Sequence, residues 1–226
     1  MGCRADVSDP HGLCVTCWSD LRLAGGAHQC PRCAHPLPEI DEGDDCKGCA
    51  SQRLEWSRMQ TATLYGGTAR SLVLSLKHGD RPDLAVPMAR WMRRAGQGVL
   101  SGADIVIPVP LHWTRRVKRR FNQSAELSRR IAKEQGIDHG AGLLLRTRAT
   151  GSQKGLSPEQ RRANVAGAFA CPSPARVEGR RIVLVDDVMT TGATLNAASR
   201  ALCKSGAASV DVLVFARVTQ EDDVLF

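Results

Sequence analysis

The chain has 226 residues, of which 42% are hydrophobic and 24% are charged, and its formal net charge is +8 at pH 7. A chain of this length can bury a core without disulfide support. Because it has no apolar run long enough to span a membrane and no signal-peptide segment near its start, we predict a cytoplasmic globular protein rather than a membrane or secreted one.

The charge and the cysteines both divide the chain near residue 54. Residues 1–55 contain five Lys and Arg against nine Asp and Glu, a net charge of −4, so the remainder carries +12. In a reducing compartment the nine cysteines are expected to be metal ligands or buried thiols rather than disulfides. We therefore predict two units, a cysteine-rich unit at residues 1–53 and a larger unit at residues 54–226.

Three C-x-x-C pairs lie in residues 1–53. Two thiolates separated by two residues can bind one ion from a tight turn, and two such pairs complete a tetrahedral zinc site. A redox-active pair is the alternative for any single C-x-x-C, but three pairs in a polar stretch favour structural zinc. The second and third pairs, twelve residues apart, have a workable spacing for one site. The predicted ligands are Cys14, Cys17, Cys30, Cys33, Cys46 and Cys49.

Six ligands make one and a half sites, so a second site needs further donors. Cys3 would be a seventh sulfur, placed as the second half of a pair whose first cysteine precedes the printed start. Either the start is truncated or the second site is degenerate. His11, His28 and His35 are alternative nitrogen ligands, although a histidine in an exposed loop is the commoner case.

The next elements form the beginning of the larger unit. Residues 54–65 mix apolar and β-favouring residues and end at two glycines. We predict a helix over 68–77 with Thr68 as its cap, and a second helix over 83–94. Leu84, Met88, Trp91 and Met92 form an apolar stripe on the second helix, which we interpret as a core face rather than a cofactor site.

A buried strand is predicted over 103–107, followed by a proline-rich loop and a strongly basic run. In open α/β sheets ligands bind at the carboxyl ends of the strands, so this loop should face the main crevice. The basic run is either a solvated face or a pyrophosphate-facing or nucleic-acid-facing surface, and a helix follows over 124–135. The candidate residues are His112, Arg115, Arg116, Arg119, Arg120, Asn122 and Gln123.

The basic character extends over residues 110–162, which contain thirteen Lys and Arg against four Asp and Glu. Such a surface attracts polyanions. Trp113 and Phe121 are its only aromatic residues, so no base-stacking platform is evident there. Within this region we predict a third strand over 143–145 and then a mobile, anion-binding loop over 146–155. Further candidates are Arg146, Arg148, Gln153, Lys154, Arg162 and Asn164.

The stretch from Arg181 to Thr194 changes from an apolar run to paired acids and then to hydroxyls and glycine. We predict a buried strand over 182–185, with Asp186 and Asp187 at its end, and a helix from Ala193 capped by Thr190 and Thr191. The alternative, an ordinary strand, turn and helix, leaves adjacent acids unexplained beside a helix terminus suited to phosphate. The stretch contains neither a Walker motif nor a dinucleotide-binding motif. The predicted phosphate and sugar cradle comprises Asp186, Asp187, Val188, Met189, Thr190, Thr191, Gly192, Ala193 and Thr194.

This stretch resembles the signature of type I phosphoribosyltransferases. Together with the cysteine pairs, Pro-Val-Pro-Leu-His at 108–112, Phe-Asn-Gln at 121–123 and Gly-Ala-Phe at 167–169, it makes the chain similar to the ComF family. The resemblance runs from Cys14 to about Val218. It implies an α/β fold of the type I phosphoribosyltransferase class, mostly a parallel sheet flanked by helices, with a small amino-terminal zinc ribbon.

The resemblance also implies ligands and partners. The two acids would bind the ribose hydroxyls of phosphoribosyl pyrophosphate (PRPP), or another ribose phosphate, with Mg²⁺. Residues 190–194 would bind the 5-phosphate, while Arg146, Arg148 and Lys154 would close over the pyrophosphate. Zn²⁺ would be structural. The family is associated with natural competence, which implies single-stranded DNA and helicase-type proteins as partners, no membrane insertion, and scope for a homodimer.

The alternative implied by the resemblance is an active phosphoribosyltransferase acting on an unidentified base or amine, with no part in DNA uptake. No residue stands out as a general base, so the signature predicts PRPP binding better than turnover. Arg120 stands where the family usually has glycine, which alters a turn expected to face the pyrophosphate.

Overall fold

The computed structural model describes residues 12–24, 28–37, 46–50, 53–78, 81–111, 121–151 and 155–219. Within them, the helices are α1 (Val15–Asp20), α2 (Lys47–Ala50), α3 (Gly67–His78), α4 (Ala85–Ala95), α5 (Gln97–Leu100), α6 (Gln123–Gln135), α7 (Pro158–Val165) and α8 (Ala193–Lys204). The strands are β1 (Met59–Leu64), β2 (Ile105–Pro108), β3 (Asp138–His139), β4 (Leu145–Arg146), β5 (Phe169–Ala170), β6 (Arg181–Met189) and β7 (Ser209–Arg217). None of these helices is long and apolar enough to cross a membrane.

Five strands form a parallel sheet in the order β1-β7-β6-β2-β3. The central strands β6 and β7 are apolar runs buried on both faces, as expected for parallel strands covered by helices. One face packs against α3, α4 and α6, where Leu72, Met88 and Leu127 are at most 1% exposed. The other face packs against α8. The predicted fold class, a mostly parallel sheet flanked by helices, is confirmed.

Three sheet assignments differ from the sequence analysis. β6 continues through both acids to Met189, because it stays paired with β7 to that point. No strand was predicted for β7, although its alternating valines signal one. The predicted third strand over 143–145 is wrong for the main sheet: Leu143 and Leu144 are buried, but only β4 pairs, antiparallel to β5, in a separate two-stranded sheet.

The amino-terminal segment covers the free edge of β1. Leu23 forms an antiparallel bridge with Thr63, and the Leu64 N–H donates to the Arg22 carbonyl at 2.9 Å. Covering an edge strand removes a surface on which another chain could pair. The Asp20 carboxylate accepts from the Thr68 N–H and hydroxyl at 2.5 and 2.7 Å, so Asp20, not Thr68, caps the start of α3.

Candidate functional site

A cleft of about 190 Å³ lies at the carboxyl edge of the sheet. Three segments that are distant in sequence line it: the loop after β2, the end of β6 with the start of α8, and Arg146 at the end of β4. In parallel sheets the strand ends meet at one edge, which is why the two loops face the same space. The lining residues are Val109, Pro110, Leu111, Arg146, Asp186, Asp187, Val188, Met189, Thr190, Gly192, Ala193, Thr194 and Leu195.

The two acids are in different environments because successive side chains on a strand point to opposite faces. The Ser124 hydroxyl, in the first turn of α6, donates to Asp186 Oδ1 at 2.7 Å, and the Asp187 N–H donates to the same oxygen at 2.9 Å. Burial, followed by the charge of Asp187, raises the pKa of the Asp186 carboxyl to about 7, although these two hydrogen bonds oppose the shift.

Asp187 has a cationic neighbour from another helix. Lys77 Nζ, one residue from the end of α3, lies 3.0 Å from Asp187 Oδ1, and the two side chains are 22% and 10% exposed. The sequence analysis missed Lys77 because its local pattern is that of any lysine near a helix terminus. An ammonium at this distance shows that the Asp187 carboxylate already accommodates a cation at the cleft.

The turn from β6 into α8, at residues 190–194, lines one part of the cleft. Gly192 is the N-cap, with φ of +77°, and a Cβ there would lie 2.9 Å from Met189 Cε. The predicted capping by Thr190 and Thr191 is wrong, since no side chain caps α8. An uncapped helix start offers N–H groups to an anion. The enclosed Thr191 Oγ1 has no hydrogen-bond partner among the described residues.

Two further arginines, both missed from the sequence, hold this turn. Arg161 of α7 donates to Thr190 Oγ1 at 3.2 Å. Arg217, the last residue of β7, donates to the Thr190 carbonyl at 2.9 Å through one nitrogen and to the Cys33 carbonyl at 3.1 Å through another. Arg217 therefore ties the cysteine-rich segment to the turn at residues 190–194.

Among the predicted cationic residues that the structure describes, Arg146 is the one that lines the cleft. It lies 5.4 Å from the centre of the Phe169 ring and donates to Thr150. Arg148 instead donates to the Asn164 and Ala166 carbonyls at 3.0 and 2.7 Å, which braces the loop against α7.

The remaining candidates are in structural positions or outside the described ranges. Asn122 caps α6 by accepting from the Ser124 N–H, and it donates to the Val109 carbonyl at 3.2 Å. Gln123 is buried, at 2% exposed. Asn164 donates to the Gly151 carbonyl, and Arg162 forms an ion pair with Glu159. Outside the described residues lie Cys3, His11, His112, Arg115, Arg116, Arg119, Arg120, Gln153 and Lys154.

Four cysteines form the candidate metal centre. The sulfurs of Cys30, Cys33, Cys46 and Cys49 lie within 4.8 Å of one another, and three of these residues are buried. Tetrahedral zinc with Zn–S bonds of about 2.3 Å separates its sulfurs by about 3.8 Å, so the group fits a closed four-thiolate site. No other group of three or more such ligands occurs in the described part of the chain.

The first cysteine pair has another position. Cys14 is the N-cap of α1, and its sulfur accepts from the Cys17 N–H at 3.5 Å. His35, one of the alternative nitrogen ligands, is outside the four-sulfur group. Burial, followed by the charge of Arg217, lowers the pKa of His35.

Comparison with known proteins agrees with this architecture. Residues 92–224 match the family described as phosphoribosyl transferase domain. The chain is 34% identical to the DNA utilization protein YhgH of Salmonella typhimurium and 30% identical to competence protein F of Haemophilus influenzae, in each case over 95% of both chains. It is 25% identical to competence protein ComFC of Bacillus subtilis, over 91% of this chain and 84% of that one.

Proposed function

The chain belongs to the ComF family of proteins with a phosphoribosyl transferase domain, and from that premise we propose that its cleft binds PRPP together with Mg²⁺. The observation that carries the proposal is the single cleft lined by both acids, the uncapped start of α8 and Arg146. These are the three kinds of group that a ribose, a 5-phosphate and a pyrophosphate require.

Each part of the cleft has a role in this proposal. Asp186 and Asp187 hold the ribose hydroxyls, directly or through Mg²⁺, which prefers carboxylate and phosphate oxygens. The turn at residues 190–194 binds the 5-phosphate through N–H groups and hydroxyls. Arg146 neutralises the pyrophosphate, whereas Arg148, expected from the sequence to share that role, holds the loop in place through the Asn164 and Ala166 carbonyls. Lys154 and the basic run around Arg116 are further candidates for the pyrophosphate.

Lys77 supports the same assignment. In the free protein it neutralises Asp187, which lowers the repulsion between the adjacent acids. With PRPP bound, Asp186 and Asp187 would be the residues that hold Mg²⁺, and the metal would supply a further positive charge beside Lys77. The negative charge of the acid pair is thus compensated by Lys77 in the free protein, and would be compensated by Mg²⁺ as well in the complex.

We also propose that the protein acts in handling single-stranded DNA during natural competence, alongside helicase-type proteins and with homodimer formation as an option. The relatives' names, DNA utilization and competence proteins, support this role. The alternative is an active phosphoribosyltransferase, in which an unidentified base or amine attacks C1 of PRPP, receives the 5-phosphoribosyl group and displaces pyrophosphate. Asp186, with its pKa raised to about 7, is the nearest candidate for a proton acceptor in that reaction.

The test is thermal unfolding with PRPP and Mg²⁺. A ligand present at about 100 times its Kd stabilises the folded state by about 2.7 kcal/mol, so the melting temperature should rise by several degrees. The double variant Asp186→Asn, Asp187→Asn should lose the rise, whereas Glu159→Gln, which changes an exposed acid on α7, should keep it. A wild-type protein with no shift would remove the PRPP proposal.

The transferase alternative has its own measurement. Pyrophosphate release from PRPP should be followed across a panel of bases, amines and nucleic acids. Release that depends on one acceptor would identify an enzyme, whereas binding without release would favour a ligand-binding role.

A further inference from the structure

An open groove beside α4 lies away from the PRPP cleft and has a volume of about 450 Å³. Helix α4 contains three arginines and no acid. After α4, the Val99 N–H of α5 donates to Gln60 Oε1 near the beginning of β1 at 3.0 Å, so the end of α4 lies towards the edge where the strands begin. The groove is lined by Arg90, Trp91, Arg93, Arg94, Gln97 and Glu134.

Trp91, which lines the groove, is in contact with a second tryptophan from a separate segment. The rings of Trp18 on α1 and Trp91 on α4 are 5.9 Å apart at 59°, and Trp91 stacks on the buried Phe215 at 6.3 Å and 27°. Trp18 is nevertheless 48% exposed. Because Asp20 binds Thr68, α1 is held against α3, and Trp18 presents its ring to solvent from a fixed helix.

The charge beside these rings is largely uncompensated. Arg93 pairs with Glu134 at 3.1 Å. Arg90 and Arg94 are exposed, and neither forms an ion pair with a carboxylate in the described ranges. The groove thus joins a rigid aromatic surface to two cations that are open to an anionic partner.

We propose that this tryptophan–arginine groove, formed by Arg90, Trp91, Arg93 and Arg94 with Trp18 beside Trp91, binds single-stranded nucleic acid. Proteins that bind single strands combine aromatic side chains on which bases stack with cations along the phosphate backbone. The inference rests on the proposed DNA role and assigns it a surface. The basic region over residues 110–162 showed no such platform in its sequence, whereas folding places Trp18 of α1 against Trp91 of α4 beside the arginines.

The charged part of the groove is tested with a fluorescein-labelled 20-nucleotide oligothymidylate, followed by anisotropy in a salt series. The variant Arg90→Glu, Arg94→Glu should weaken binding at least tenfold. Its matched control, Arg176→Glu, Lys204→Glu, makes the same change in net charge at exposed positions outside the groove and should change affinity less than threefold. Arg90→Ala, Arg94→Ala should reduce the salt slope by about 1.4, since each phosphate contact on a single strand contributes about 0.7.

The aromatic part is tested at Trp18, because Trp91 also packs in the core. Trp18→Ala should weaken oligothymidylate binding by about 5- to 150-fold, the range expected for one stacked base. Trp18→Phe should retain most of the affinity. Val15→Ala, which changes a residue that is 83% exposed on the same helix, is the control. The melting temperature and the PRPP-induced shift of each variant show whether the fold and the cleft are intact.

The outcomes distinguish a failure of the groove assignment from a failure of the proposed DNA role. If the wild type binds the oligonucleotide and both charge-reversal pairs weaken binding equally, the assignment of binding to the groove is wrong, but the proposed DNA role stands. No binding by the wild type at low salt removes both. Retention on vesicles of phosphatidylcholine and phosphatidylglycerol, with no oligonucleotide binding, would make the groove a membrane-surface site and overturn its assignment to nucleic acid.

Discussion

The cysteine group and the acid pair both bring ionisable, potentially anionic side chains together, but the first is enclosed and the second lines an open cleft. Cys30, Cys33, Cys46 and Cys49 enclose one position with four equivalent donors, and burial raises the pKa of Cys33 to about 12. Asp186 and Asp187 instead line an open cleft, and their partners, Ser124 and Lys77, differ. A closed set of ligands is typical of structural metal sites, whereas an open position is needed for binding and chemistry.

The two regions are physically joined. Arg217 donates to the carbonyls of Cys33, Thr190 and Val218, so one guanidinium links the four-cysteine group with the turn at residues 190–194. The contrast teaches that the cysteine group, the closed region, can support the cleft, the open region, without contacting a ligand. Three substitutions test this relationship: one in the cysteine group, one at Arg217, which links the two regions, and one in the acid pair.

The largest effect is expected in the closed region. We expect the wild-type protein to bind one zinc ion per chain, and Cys33→Ser should abolish this binding and lower the free energy of unfolding by more than about 4 kcal/mol, because it removes both the metal and the packing around it. Urea unfolding and metal analysis measure the two effects. Cys203→Ser, at an exposed position on α8, should change stability by less than about 0.5 kcal/mol. A Cys33→Ser protein of unchanged stability would exclude a structural role for the cluster.

An intermediate effect is expected at the link. Arg217→Met keeps much of the aliphatic length but leaves three carbonyls without their charged donor, so it should cost about 2–3 kcal/mol of stability. It should also weaken PRPP binding while the zinc content stays at one per chain. Calorimetric titration with PRPP and metal analysis check this. If PRPP affinity is unchanged, the two regions are independent.

The smallest effect, and one of opposite sign, is expected in the open region. The Asp186 pKa is raised from 3.8 to about 7 in the folded protein, so this group's contribution to stability is full below about pH 4 and lost as pH rises through 7. Asn cannot ionise and still accepts from Ser124. In Mg²⁺-free buffer, Asp186→Asn should therefore stabilise the protein by about 1 kcal/mol at pH 8, and less towards pH 5.

Denaturant unfolding between pH 5 and 8 measures the gain, with Asp104→Asn as the control. Asp104 lies outside the cleft, and hydrogen bonding, first from the Arg181 N–H, lowers its pKa, so its substitution should not stabilise the protein at pH 8. If Asp186→Asn is less stable than the wild type at pH 8, the ionised Asp186 carboxylate does not destabilise the folded protein.

Much of the cleft was predictable because its signals are local. A buried apolar run followed by Asp186, Asp187 and the turn at Gly192 needs only neighbouring residues to specify a strand, paired acids and a helix start. The same is true of each C-x-x-C pair. The length of β6 was underestimated because its last residues are held by pairing with β7, which is a tertiary interaction.

The partners of these motifs were not predictable in the same way. Nothing near Lys77 indicates Asp187, nothing near Arg217 indicates Cys33, and Trp18 gives no sign of Trp91. Thr68 was assigned as a cap because serine and threonine commonly serve that role, but Asp20 reached the helix from the preceding segment.

The sequence by itself determined the family, the parallel α/β class, the acid-and-threonine cradle and the cysteine pairs, since each depends on the order of residues within one short segment. Only the tertiary structure decided that the second and third cysteine pairs join, that Lys77 neutralises Asp187, and that two tryptophans meet beside the arginines of α4. These contacts join residues far apart in the chain, and the packing of helices on a shared sheet brings them together.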